Sequence, residues 1–224
     1  MSGNELKKNL IINMLSRVIK SAPIKREVPN VCVFCGSNMG SGDLYKKEAT
    51  DLAAGLVKLG YGLVYGGASV GIMGSLADSV LTAGGRVHGV IPQALVDKEV
   101  AHRGLSELRV VKTMHERKKI MFDLSDVFLT FPGGFGTLDE TFEIITWKQI
   151  GLHQKPLVLL DLHGFYTPLI EFLDKAVLAG FIKEEHRKLF LTASSIAEAL
   201  KFLQEYDDSR SPAAKIASAA TAGK

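Results

Sequence analysis

Val127-Phe128-Leu129-Thr130-Phe131-Pro132-Gly133-Gly134-Phe135-Gly136-Thr137-Leu138-Asp139-Glu140 is the stretch on which the fold turns. Its first five residues form a largely apolar, β-rich run of the kind that suits a strand buried on both faces. A proline and closely spaced glycines then break the run, and a helical pattern follows. A strand that passes through a tight glycine loop into a helix is the repeating unit of an α/β sheet.

Outward from that stretch the same alternation recurs. Strand candidates fall at 31–35, 62–65, 86–91, 108–111, 127–131 and 157–160, with a weak seventh at 189–191. Helical patterns lie between them near 43–59, 72–83, 114–124, 137–150 and 167–179, and a last one near 194–206. Apolar strands alternating with helices imply an α/β fold with one parallel sheet covered on both faces. Residues 30–208 therefore read as a single domain, flanked by an N-terminal extension, 1–29, and a Ser/Ala-rich tail, 209–224, with the composition of a disordered segment.

The chain has 224 residues, 46% of them hydrophobic, enough to fill one core. No apolar run approaches the roughly 20 residues a membrane helix needs, so neither a membrane nor a membrane partner is expected. The net charge of +3 is unevenly placed. Residues 1–29 hold six basic and two acidic side chains, which leaves the rest of the chain near −1. The basic balance thus belongs to the extension and gives no reason to expect nucleic acid as a partner.

Within the extension, Leu6, Leu10, Ile11, Met14, Leu15, Val18 and Ile19 share one helical face, and Pro23 and Pro29 separate it from the first strand. A basic amphipathic segment can address a membrane surface or a compartment. The reading adopted is an extra helix packed on the fold or on a second subunit. Acidic Glu5 and the lack of a small-residue cleavage site argue against a secretory signal, and a cytoplasmic protein is expected.

Cys32 and Cys35 form a C-x-x-C pair, a spacing seen in redox and zinc sites. Here it falls on a strand, where side chains at odd spacing point to opposite faces, and no second Cys/His cluster is present. Both are expected to be buried structural thiols.

In open parallel sheets, ligands bind beyond the carboxyl ends of the strands. Three such connections are rich in glycine: Gly36-Ser37-Asn38-Met39-Gly40-Ser41-Gly42, Gly66-Gly67-Ala68-Ser69-Val70-Gly71-Ile72-Met73-Gly74, and Pro132 to Thr137. Glycine lets the backbone approach a ligand, and the free N–H groups at the helix start behind it favour an anion. Three loops of this kind on one edge point to a phosphorylated ligand. None is a P-loop, and no G-x-G-x-x-G follows the first strand, which disfavours ATP-driven phosphoryl transfer and hydride transfer.

Glu140 follows the third loop by one helical turn. It could cap Thr137 in a T-x-x-E box, complement the helix dipole, or act as a carboxylate beside a bound phosphosugar. A second cluster, Met114-His115-Glu116-Arg117-Lys118-Lys119, stands where the fourth strand gives way to a helix. Cations at a helix start oppose its dipole, so an anionic ligand is the better reason for Arg117, whereas Lys119 fits a solvated face. Glu99, after the third strand, reads by itself as a surface acid, and Trp147 as a packing residue. His88, His102, His153 and His163 lack metal-ligand spacing, and no nucleophile elbow occurs.

Pro132-Gly133-Gly134-Phe135-Gly136-Thr137-Leu138-Asp139-Glu140 resembles the PGGxGTxxE signature of the LONELY GUY (LOG) family, and Met114-His115-Glu116-Arg117-Lys118 its MHxRK motif. Cys35-Gly36-Ser37, Tyr65-Gly66-Gly67 and Gly71-Ile72-Met73-Gly74 fit in the same order. Ala68 and Asp139 depart mildly from the family pattern. The resemblance covers about residues 30–206. It implies a Rossmann-like, doubly wound sheet, a homodimer, and hydrolysis of the N-glycosidic bond in a nucleoside 5′-monophosphate without metal or cofactor. It implies catalytic positions for Arg117 and Glu140. Substrate contacts would come from Glu99, Lys118, Gly133, Gly134, Phe135, Gly136 and Thr137, with the loops at Gly36, Ser37, Gly66 and Gly67. The base released would be adenine or an N6-substituted adenine, with a broader nucleotide range or a non-catalytic carrier of a phosphorylated ligand as alternatives. The older label "lysine decarboxylase-like" would need a pyridoxal-phosphate lysine, and no S-x-H-K-type site is present.

Overall fold

The computed structural model describes residues 28–98 and 100–210, with side chains as far as Asp207. Seven strands, all parallel, build one sheet in the order β4-β3-β2-β1-β5-β6-β7. They are β1 (Asn30–Phe34), β2 (Gly62–Tyr65), β3 (Val87–Pro92), β4 (Glu107–Val111), β5 (Val127–Thr130), β6 (Leu157–Leu160) and β7 (Leu191–Ala193). Between them run α1 (Leu44–Lys58), α2 (Gly71–Thr82), α3 (Gln93–Val96), α4 (Met114–Leu124), α5 (Phe135–Gln149), α6 (Thr167–Leu178), α7 (Glu184–Arg187) and α8 (Ile196–Arg210).

The doubly wound architecture follows from how the chain leaves β1. The first three crossovers walk outward from β1 to β4, and the next returns to the other side of β1 to lay down β5. Val31 pairs with Val127 and Phe34 with Thr130, so β1 and β5 end level with each other. Their following loops diverge to opposite faces of the sheet, which opens the crevice where such folds bind ligands.

Period-two alternation along β1 divides the core. Val31, Val33 and Cys35 pack with α1, α2 and α8, while Cys32 and Phe34 pack with α4, α5 and α6. The two cysteines are therefore free, buried and on opposite faces. Trp147 packs edge-on against Phe122, with ring centroids 5.2 Å apart.

Three elements depart from the sequence expectation by two residues or more. Helix α5 begins at Phe135, two residues early, because Gly134 can serve as its N-cap. The last strand forms at Leu191–Ala193 rather than 189–191. The last helix continues to Arg210, four residues past its expected end and into the segment read as a tail. The amphipathic face expected within residues 5–20 lies outside the described residues, as do Glu99 and the chain after Arg210. Among the described residues no helix is long and apolar enough to cross a membrane.

Candidate active site

A pocket of about 470 Å³ occupies the crevice between the carboxyl ends of β1 and β5. Three loops interlock to form it. Gly36 N–H donates to the Pro132 carbonyl at 3.2 Å, joining the first loop to the third. Gly71, at φ +61°, lies so close to the Ser37 backbone that any side chain would overlap it. Ile72 and Met73 N–H groups donate to the Asn38 and Gly36 carbonyls at 3.4 and 3.3 Å.

Those last two bonds correct the expectation that all three loops offer free N–H groups to an anion. The start of α2 is already capped by the first loop. The start of α5 is different. Leu138 is its first residue with an intrahelical acceptor, the Gly134 carbonyl at 3.1 Å, which leaves the N–H groups of Phe135, Gly136 and Thr137 unused by the helix. Gly134 and Gly136 have no neighbouring atom within 4 Å in the direction a Cβ would take, so that side is open. Gly133 is enclosed, since a Cβ there would overlap the Thr137 side chain. The α5 start thus offers the pocket a candidate anion seat.

Arg117 and Glu140 stand beside it. Glu140 lies on the second turn of α5 and is only 7% exposed. With α5 starting at Phe135 and no side chain capping it, the capping-box reading of Thr137 and Glu140 does not hold. Glu140 Oε1 instead accepts from Arg117 Nη1 at 2.6 Å. Burial pushes the Glu140 carboxyl above the usual glutamate range, against the pull of the Arg117 charge. Both side chains line the pocket.

Arg117 reaches the site because α4 is tightly started. Glu116 N–H donates to Thr113 Oγ1 at 3.1 Å, and Glu116 Oε2 accepts from Lys112 N–H at 3.0 Å. The T-x-x-E spacing that caps a helix at this site is therefore Thr113–Glu116, a variant of the capping box in which Glu116 reaches the Lys112 N–H, and not Thr137–Glu140. Arg117, one residue on, turns inward, where its Nε donates to the Val90 carbonyl at 3.0 Å. It is 7% exposed and is no part of a solvated basic face.

Of the other residues singled out in the sequence, Gly36, Ser37 and the run Gly133 to Thr137 line the pocket. Lys118 does not; its ammonium bonds Asp139 at 3.1 Å and pairs with Glu143 at 3.2 Å, tying α4 to α5. Gly66 and Gly67 lie behind the pocket wall, against Arg117 and against β3. Glu99 is outside the described residues.

Sequence reading missed an apolar part of the pocket lining, made by Met39, Tyr45, Met73 and Phe165. Phe165 arrives through an unusual turn: His163, at φ +55°, is the only non-glycine in the left-handed region among the described residues. The signal was Gly164 after β6, a fourth connection at the same sheet edge. Cys35 also borders the pocket, but burial raises its thiol far above the ordinary range and keeps it protonated. Among the described residues no group of three or more His, Cys, Asp or Glu side chains could hold a metal ion.

A doubly wound sheet, unused helix N–H groups at the switch point and a buried arginine–glutamate pair facing the pocket define a Rossmann-like protein with a crevice suited to an anionic ligand. Comparison with known proteins agrees. Residues 73–203 match the family model described as "Possible lysine decarboxylase". A cytokinin riboside 5′-monophosphate phosphoribohydrolase of Arabidopsis thaliana is 46% identical over 82% of this chain and 80% of its own length. The enzyme of that name from Oryza sativa subsp. japonica is 44% identical over 79% of this chain and 73% of its own. The chain belongs to the LOG family. Among solved structures, the molybdenum cofactor carrier protein of Chlamydomonas reinhardtii superposes with a TM-score of 0.62 at 22% identity, covering 80% of this chain and 98% of that one. That likeness shares the fold.

Proposed function

We propose that the protein hydrolyses the N-glycosidic bond of nucleoside 5′-monophosphates, N6-substituted adenosine 5′-monophosphates foremost, to free base and ribose 5-phosphate. The observation that carries this reading is the placement of a buried carboxylate, Glu140, one helical turn from an unused anion seat on the same helix. A phosphate on the N–H groups of Phe135, Gly136 and Thr137 anchors the sugar, so that C1′ comes to Glu140 at little further entropic cost. The relatives' names supply the substrate class.

In this reading the C1′–N bond breaks with its electron pair going to the base, and positive charge builds on the ribose ring. Ionised Glu140 stabilises that charge and takes a proton from the water that adds to C1′. The departing base takes up a proton from solvent, and the proton held by Glu140 returns to solvent, so that one water is consumed in all. Arg117 holds the carboxylate in place and balances charge developing on the departing base. Gly36 and Ser37, which line the same pocket, are assigned to substrate contact beside the phosphate. Glu99 is assigned to substrate contact by family resemblance, and Lys118 acts through Asp139 and Glu143 rather than on the ligand. No step calls for a metal or cofactor.

Residues 30–208 form the catalytic unit in this proposal, and it works as a cytoplasmic homodimer. Phe135, 94% exposed at the pocket mouth, and half-exposed Met114 on α4 supply apolar surface beside the site. Two free buried thiols suit a reducing compartment. The test is release of free base from a panel of 5′-monophosphates set against the matching nucleosides. Binding of the monophosphates without release would contradict the proposal and favour a carrier.

A further inference from the structure

Gly66 and Gly67 follow β2 side by side, and they are glycines for different reasons. Gly67 has φ +77°, a conformation that side chains rarely adopt, so its backbone asks for glycine. Gly66 is outside the left-handed region, so its backbone does not. What excludes a side chain at Gly66 is Arg117. A Cβ built there would overlap Arg117 Nη2 and would stand 3.2 Å from its Cζ and 3.1 Å from Met73 Sδ.

The end of a long side chain usually yields to such an intrusion, but this one is held. Arg117 Nε is bonded to the Val90 carbonyl at 3.0 Å and Nη1 to Glu140 at 2.6 Å, and the whole residue is buried. Room for Nη2 cannot be found elsewhere without giving up one of those bonds.

We propose that Gly66 is a positioning residue of the active pair: its missing side chain is the socket for the Arg117 guanidinium, which it holds, together with the Val90 carbonyl, against Glu140. This rests on the reading of Arg117 and Glu140 as the working pair. The family resemblance placed Gly66 in substrate contact; the structure places it one layer behind. A methyl group in the socket displaces the guanidinium while leaving the anion seat on α5 untouched.

The experiment is a double-mutant cycle of Gly66→Ala with Arg117→Met, read by turnover of an N6-substituted adenosine 5′-monophosphate and by NMR titration of carboxyl-labelled Glu140 in the full chain. In the Arg117 background, Gly66→Ala lowers kcat by about tenfold to a hundredfold, the scale of a displacement near 1 Å, with KM changed by less than about threefold. The Glu140 titration moves to higher pH, because Arg117 is the charge that opposes burial there. The other ionisable groups acting on it, Asp139 and Lys118, and the buried thiols of Cys32 and Cys35 nearby, are unchanged by the substitution. In the Arg117→Met background Gly66→Ala has no further effect on either readout.

If Gly66→Ala alone fails to fold, the double variant folds, since the clash is gone. Equal losses in both backgrounds, an unmoved titration, or failure of the double variant to fold would overturn the socket. The titration needs no turnover. A wild-type protein that releases no base, yet shows the Glu140 shift on Gly66→Ala, would sink the nucleosidase reading and leave the socket standing.

Discussion

Arg117 Nη1 and Glu140 Oε1 meet at 2.6 Å from two different helices, and both side chains are buried at the floor of the pocket. Such a pair is a poor source of stability, because desolvating two charges offsets most of their attraction. Its position is better explained by the proposed chemistry, in which a carboxylate and a fixed cation serve a sugar whose phosphate is held at the start of α5.

Glu140→Gln keeps the shape of the side chain and removes its charge. Turnover should fall by about 10²- to 10⁴-fold, the scale of losing a positioned base, while affinity for a 5′-monophosphate persists because the anion seat is separate. Calorimetric binding alongside a base-release assay checks both. Turnover within tenfold of the wild type would remove Glu140 from its role.

The pH dependence carries a sign. Burial raises the Glu140 carboxyl above the usual range, and the reaction needs it ionised. Activity therefore falls on the acid side at a higher pH than an ordinary glutamate would give. Stability runs the other way for this group. A raised folded pKa favours the protonated native state, so the Glu140 contribution is present at low pH and is lost as pH rises through that pKa. A pH profile of kcat/KM beside a thermal melt at each pH separates the two trends.

Glycines in the third loop should split into two kinds. Gly136→Ala meets open space and sits inside a helix, so it stabilises the fold by up to about 1 kcal/mol while raising KM for the monophosphate. Gly133→Ala drives a methyl into Thr137 and destabilises the loop itself. Melting temperatures and KM values for the two variants distinguish a ligand-facing glycine from a packing one; a Gly136→Ala enzyme with unchanged KM would count against the anion seat.

Thr113→Ala removes the cap of α4 and should cost about 1 kcal/mol of stability. Because Arg117 is one turn away, kcat should fall as well, whereas a surface cap far from the site would change the melt alone. Paired melts and kinetics decide between them.

How much was legible beforehand depends on what kind of signal each residue carries. The strand-loop-helix rhythm exposed the parallel sheet, because strands buried on both faces leave continuous apolar runs such as 127–131. The loops at Gly36 and Gly133 declared themselves through breaker residues at strand ends. Partnership between side chains of two helices did not show in one dimension. Arg117 and Glu140 are 23 positions apart, on consecutive helices that pack side by side on one face of the sheet. Lys118, a substrate contact by family resemblance, bonds Asp139 and pairs with Glu143, partners that its sequence neighbours did not reveal. Two T-x-x-E spacings were available, and which one caps a helix depended on where the helix starts, a matter of two residues. Tyr45, a wall of the pocket, carries an ordinary apolar pattern and leaves no mark in sequence, and Phe165 is marked only by Gly164 before it.

The most direct measurement is chromatographic detection of free base after incubation with N6-substituted adenosine 5′-monophosphate and, separately, with its nucleoside. The phosphate anchor on α5 and the carboxylate of Glu140 predict release from the monophosphate, little from the nucleoside, and none from either with Glu140→Gln. Equal release from both substrates would contradict the anchor. No release from either would contradict the hydrolase.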